Sequence, residues 1–489
     1  MKNIIMSLTL IFMLQNLVAQ NVGIGTTSPL EKLHVAGNIK ADTVKPNAIK
    51  FTPNAGTGKI LTSDAAGNAS WQIVNPGAGG GNVGFGVWGS CDANANISGY
   101  TPVVDPTAAF GDFFGSSVAI SGNYCIAGAP VDDVGANTDQ GSACIFQFNG
   151  TNWVFMQKLT DATGAANDQF GYSVSISGNY AVVGAWLDVG PFGADQGSAS
   201  IYQLNGGTWV LMNKITDPTG GTGDVFGYSV SISGNYAIIG SNGDDVGFNL
   251  NQGSASIFQY NGSSWVLMQK ITDAAGALAD NFGQSVSISG NRAIVGATLD
   301  DVVYTDQGSA TIFQYNGSSW VQVQTITDPD ARTYDNFGNS VSIDGNFVII
   351  GDALDDNLSA SVNNPNQGSA CIFWYNGNNW AYVQKLVDVT GKAEDRFGNN
   401  VSISGSYIIV GIYNHDIGNN PAQTDHGAAR IYQRLGVIWE PLQYITDPAT
   451  NADEWLGFAV AVDGNAKRFL IGVRKYANLS GKVILGKIN

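Results

Sequence analysis

Acidic side chains dominate whatever chemistry this 489-residue chain could perform: it carries 39 of them against 22 basic residues and three histidines. Only Glu31, Glu394, Glu440 and Glu454 are glutamates, and the rest are aspartates. The aspartates recur in groups. One set of segments holds Asp132, Asp133 and Asp139, Asp188 and Asp195, Asp244 and Asp245, Asp300, Asp301 and Asp306, and Asp355 and Asp356. A second holds Asp161 with Asp168, Asp217 with Asp224, Asp273 with Asp280, Asp328 with Asp335, and Asp388 with Asp395. Hard cations such as calcium want several oxygen ligands from carboxylates, carbonyls and water. That makes Asp132, Asp133, Asp139, Asp161, Asp168, Asp217, Asp224, Asp244, Asp245, Asp273, Asp280, Asp300, Asp301 and Asp306 candidate calcium ligands. Aspartate also starts turns by accepting hydrogen bonds from nearby backbone amides, and recurrence at equivalent places makes a shared structural duty the simpler account. A further constellation joins His415 and His426 to Asp416 and Asp425 in one segment. Imidazole with carboxylate can hold zinc or another transition metal, although the spacing matches no metal motif.

What must position these groups is an internal repeat. Phe-Gly pairs stand at Phe114, Phe170, Phe226, Phe282, Phe337 and Phe397, with Leu456-Gly457 as a degenerate seventh, in steps of 56, 56, 56, 55, 60 and 59 residues. Trp153, Trp209, Trp265, Trp320, Trp380 and Trp439 keep the same steps. Within one unit, alternation and turn residues predict four strands: A over Tyr172 to Ser177, B over Tyr180 to Trp186, C over Ser198 to Leu204 and D over Thr208 to Ile215. Gly178-Asn179 and Asn205-Gly206 tolerate positive φ and supply tight turns. Four antiparallel strands repeated at this period imply an all-β chain folded as a seven-bladed β-propeller. Serine-rich strand A suits the crowded centre, and strand D the rim. Because the strands alternate in direction, the B-to-C loops and the loops from D to the next A emerge on one face, which gathers the aspartates into an acidic ring. Such a face repels nucleic acid and anionic membranes.

The seventh unit has strands A, B and C but no D, while Tyr100 to Asp105 lies where a D strand and its aspartate would precede the first Phe-Gly. The N-terminal side of the repeat array is therefore expected to complete the last blade and remove two exposed sheet edges. Phe-Gly followed by strand, turn, strand and Gly-Ala-Pro, complete at Gly128-Ala129-Pro130 and partial at Gly184-Ala185 and Gly296-Ala297, resembles the FG-GAP repeats of integrin α-chain propellers and their bacterial relatives over residues 110 to 489. That resemblance implies the propeller and, more loosely, a surface-binding role. Its Asp-x-Asp-x-Asp-Gly calcium loop between strands A and B does not carry over, since that hairpin here is Ser-Gly-Asn-Tyr, as at 121 to 124 and 233 to 236.

Composition narrows the class. Charged residues make up 12% and glycine 63 residues, with a net charge of -17 and 44% hydrophobic content. A helical bundle, a coiled coil, a basic nucleic-acid binder and a disordered chain are all disfavoured. Lys2, an apolar run from Ile4 to Leu14 and Ala19 before Gln20 predict a signal peptide over residues 1–19 and hence export, secreted or to the cell surface. No transmembrane segment is expected. Residues 20–81 resemble stalk segments of bacterial surface and tail-fibre proteins, which often trimerise, and end in a Gly-rich linker at 76–81; 82–97 form a connector and 98–489 the propeller. Cys125 and Cys144 fall on neighbouring strands, and as their equivalents are small residues they are expected to be unbridged. Three histidines, none recurring beside a serine and aspartate pair, offer no nucleophile, base and orienter set. The expectation is a non-enzymatic binding or adhesion module for an extracellular protein or glycan. The alternatives are a calcium-dependent carbohydrate-binding propeller and, less favoured, a polysaccharide-active enzyme.

Overall fold

The computed structural model describes residues 100–359, 362–416, 425–447 and 453–488, and the backbone of four short strands nearer the N-terminus. The chain divides into two units, Met1–Trp88 and Gly89–Asn489. In the first, Val22–Ile24 pairs in parallel with Leu33–Val35, and Lys59–Ser63 pairs antiparallel with Ala69–Ile73. The expected signal peptide, the Gly-rich linker and the connector at 82–97 lie outside the described residues, as does most of the stalk-like segment.

The second unit is a ring of seven four-stranded antiparallel sheets. Blade 2 shows the pattern: strand A Ser173–Ser177, B Tyr180–Ala185, C Ser198–Asn205 and D Thr208–Ile215. These bounds fall within a residue of those read from alternation. A two-residue turn joins A to B, with Ser177 opposite Tyr180 and Gly178 at φ +57°. A register shift between Ile201 and Tyr202 interrupts the pairing of C with D, and such bulges add twist to the outer strand.

The hydrophobic core lies between blades. Ile126, Ala143 and Ile145 of blade 1 pack against Phe170, Val174, Tyr202 and Trp209 of blade 2, all buried. Phe170 is buried, and the backbone bridges Gly141 of the preceding blade. Gly171 follows at φ +92°, and a Cβ there would meet the carbonyl oxygen of Ser142. The Phe-Gly pair is thus one large anchor and one required absence of side chain. Four of the repeated tryptophans, Trp209, Trp320, Trp380 and Trp439, are stapled through their backbone from the blade before: Gln157 accepts from the Trp209 backbone N–H at 2.8 Å and donates to its carbonyl at 2.9 Å. Gln269 does the same for Trp320.

The strand A serines have a specific duty at the centre. Ser175 Oγ accepts from the Ile232 N–H of the next blade at 3.1 Å, and Ser231 repeats this with Ile288. Short hydroxyls let inner strands approach while their amides stay satisfied. The channel so lined encloses about 350 Å³.

Closure follows the sequence expectation. Blade 7 takes its outer strand from Thr101–Val103, which pairs antiparallel with Lys482–Lys487 so that Val103 faces Val483 and Thr101 faces Leu485. Phe113 and Phe114 donate to the carbonyls of Leu479 and Ser480. Cys125 and Cys144 are free buried thiols whose register partners are Phe146 and Ala127; Cys91 lies outside the described residues.

Candidate functional site

The B-to-C loops and the D-to-A loops share one face of the ring, and their aspartates do two jobs. In the D-to-A loops that enter blades 1 to 6 the first aspartate accepts from the amide two residues on: Asp161 Oδ1 takes the N–H and hydroxyl of Thr163, at 2.9 and 2.8 Å. The second closes the loop backwards, with the Ala165 N–H donating to Asp168, Gly221 to Asp224 and Ala277 to Asp280. In the B-to-C loops Asp133 accepts from the Asp139 N–H, Asp245 from Asn251 and Asp301 from Asp306. Asp139 and Asp306 hold φ near +50°, which aspartate tolerates better than most residues. Turn formation therefore accounts for much of the recurrence.

The remaining carboxylate oxygens meet lysine. Lys158 Nζ lies 2.8 Å from Asp105 and 2.5 Å from Asp132. Lys214 spans Asp161 and Asp188, and Lys270 spans Asp217 and Asp244, every contact between 2.5 and 2.7 Å. Lys385 spans Asp328 and Asp355. Each clasp joins the loop that enters a blade to that blade's own B-to-C loop. Burial alone would raise the Asp161 carboxyl, but the Lys214 ammonium and the Thr163 donors outweigh it and hold it below the usual range. Blade 6 supplies its cation from strand C instead, Arg430 reaching Asp388 at 3.0 Å; in blade 7 Lys482 reaches Asp447 at 2.7 Å. Blade 4 has Thr325 at the lysine position, so Asp273 and Asp300 face each other without an ammonium. Burial, with Asp280 and Asp273 nearby, pushes the Asp300 carboxyl up to about 6.

Of the expected calcium ligands, then, Asp132, Asp161, Asp217 and Asp244 sit on lysines, while Asp133, Asp168, Asp224, Asp245, Asp280 and Asp301 hold backbone amides. None of them belongs to a cluster of three metal-ligating groups among the described residues; that cluster is Asp328, Asp352 and Asp355. In the second constellation His415 pairs with Asp395 at 3.1 Å, Asp416 accepts from the Asp425 N–H, and burial lowers the His426 imidazole, with Asp416 and His415 close enough to act on it. The sequence reading missed the lysines, although the recurrent Gln157-Lys158-Leu159, Asn213-Lys214-Ile215, Gln269-Lys270-Ile271 and Gln384-Lys385-Leu386 carried the signal.

Above this charged framework the same loops expose apolar side chains. Phe248 is fully exposed, and Phe110, Val189, Phe192, Leu278, Val303 and Val389 are each more than half exposed. A groove of about 770 Å³ is lined by Val303, Tyr304, Gln307, Asp328, Asp330 and Arg332. No helix among the described residues is long and apolar enough to cross a membrane.

Fold and loops together define a closed seven-bladed propeller whose repeated Phe-Gly and Gly positions lock neighbouring blades and whose acidic loops crowd one face. The chain belongs to the FG-GAP repeat family: the family model matches residues 103–146, 153–202, 209–258, 265–313, 320–373 and 380–432. Each of the last five matches runs from strand D of one blade to strand C of the next, so the repeat in sequence is offset from the blade in space. The seventh blade, from Leu456 on, lies beyond the matched residues and is evident from its strands alone. No curated protein matches the chain.

Proposed function

We propose that the chain is an exported, non-catalytic binding or adhesion module that presents its loop face to an extracellular protein or glycan. One observation carries this reading: Phe192 and Phe248 are exposed on B-to-C loops pinned by ion pairs, and Val303 and Tyr304 are exposed on the equivalent loop of the next blade. Apolar side chains at loop tips gain nothing for the fold, and large exposed patches of this kind mark interaction surfaces. Loops already held in place lose less entropy on binding. The lysine clasps favour this reading over a ring of calcium sites, because ammonium groups stand between most of the paired aspartates.

Glycan and protein arrays probed with the full chain test it, with Phe192→Ser/Phe248→Ser/Tyr304→Ser as the loop-face variant and Leu435→Ser as a control on the opposite face. Loss of signal in the triple variant and retention in the control is the expected result. Equal binding by all three proteins overturns the assignment of the face.

A further inference from the structure

Blade 5 departs from the charge balance of its neighbours. Strand B there ends in Asp352, where the other blades have Ala129, Ala185, Ser241, Ala297, Ile412 and Val473. Asp352 is fully buried, and neither of its carboxylate oxygens has a hydrogen-bond partner. One oxygen from each of Asp328, Asp352 and Asp355 lies within 4.8 Å of the other two, all three residues being buried. Ser369 stands directly opposite Asp352 in the sheet register, so its side chain lies on the same face, and its hydroxyl is also without a partner. A buried carboxylate with no donor and no counter-ion is strongly disfavoured, and Lys385 already serves Asp328, Asp355 and Asp330.

We propose that Asp328, Asp352 and Asp355 bind one hard divalent cation of the calcium class. Oxygens spaced up to 4.8 Å apart fit around an ion that holds its ligands at about 2.3–2.6 Å. Softer metals are disfavoured, because all three candidate ligands are carboxylates, which are hard oxygen donors. Lys385 has somewhere to go: its contact with Asp330 at 2.8 Å involves a side chain that is 66% exposed, so the ammonium can stay on Asp330 while the ion takes the inner carboxylates. Asp328 and Asp330 also line the loop-face groove, which gives the ion a route from solvent.

Calorimetric titration of the chelator-stripped full chain with calcium chloride, paired with thermal unfolding with calcium or chelator, tests the site. The expected result is one saturable binding event and a higher Tm in calcium. Asp352→Ala, which restores the residue of blades 1, 2 and 4, weakens the event by about tenfold or more and abolishes the shift, while its Tm in chelator is at or above that of the unsubstituted chain. Asp352→Asn, which keeps the shape and removes the charge, gives the same loss. Absence of heat and of any shift up to millimolar calcium overturns the proposal and assigns Asp352 a proton instead; calcium binding unchanged in both variants overturns it equally.

Discussion

Lys214 Nζ, on the outer strand of blade 2, lies 2.6 Å from a carboxylate oxygen of Asp161, in the loop that brings the chain in from blade 1. Asp188 of blade 2 approaches the same ammonium from the other side. Both carboxylates are buried while the lysine side chain is 26% exposed. Removing the cation leaves two negative charges facing each other away from water. Loss of one member of a buried ion pair costs about 3–5 kcal/mol, and partial solvation of the lysine end lowers the expected cost of Lys214→Met to about 2–3 kcal/mol. The midpoint of urea unfolding measures it; a midpoint within error of the unsubstituted chain would show that the clasp contributes nothing.

Blade 4 provides the reverse experiment. Thr325 occupies the lysine position on strand D, with its hydroxyl 3.1 Å from that of Thr311. Thr325→Lys is expected to span Asp273 and Asp300 as Lys270 spans Asp217 and Asp244 one blade earlier. A gain of about 1 kcal/mol is expected, seen as a rise in Tm that salt diminishes. Thr325→Met, which adds the aliphatic stem without the charge, should gain less; equal gains would assign the effect to packing.

The unclasped pair also has a pH signature. Burial, more than the neighbouring carboxylates, pushes Asp300 up to about 6, and the same cause raises Asp168 and Asp335 to about 6. A carboxyl that binds its proton more tightly in the folded chain makes stability fall as pH rises from about 4 to about 6, with no further loss above that. Asp105 and Asp161, held low by lysine, act oppositely and lose their contribution as pH drops below about 4. Asp300→Asn keeps an acceptor for the Ser309 hydroxyl and should raise Tm at pH 7.5 but not at pH 4. An equal effect at both values would remove ionisation as the cause.

The blade pattern was legible because Phe170, Trp209 and the Gly178 turn recur with their neighbours at nearly constant spacing, and each recurrence answers the same steric demand. The loop face was legible too, since strand alternation places the Asp161 and Asp188 loops on one side. Their chemistry was not, because aspartate in a turn and aspartate on a lysine look alike in sequence. Lys158, Lys214, Lys270 and Lys385 occupy only some blades, Arg430 and Lys482 supply charge from a different strand, and blade 4 has Thr325 in place of the lysine, so the pattern breaks along the chain. Asp352 was hidden for the opposite reason: it is an exception to a repeat, and its significance lies in which residues surround it once the sheet has formed.

Ring closure gives the last prediction. The outer strand of blade 7 is only Thr101–Val103, far in sequence from Lys482–Lys487, its partner. Pro102 has no amide to donate, so the strand suits the outermost position, where one edge needs no partner. Its hold rests on Val103, buried in a cluster with Val118, Val483 and Leu485, and on Asp105, whose carboxylate meets Lys158 of blade 1. Val103→Asp places an unpaired charge in that cluster and should detach the strand. The freed edge of Lys482–Lys487 then offers unpaired amides and carbonyls to another chain. The expected outcome is a lower Tm together with concentration-dependent association in size-exclusion chromatography. A synthetic peptide of residues 100–106 supplied in excess should reduce that association, because it can refill the vacated position with the native register. A Val103→Asp chain that elutes and melts like the unsubstituted one would show that the ring closes without this strand.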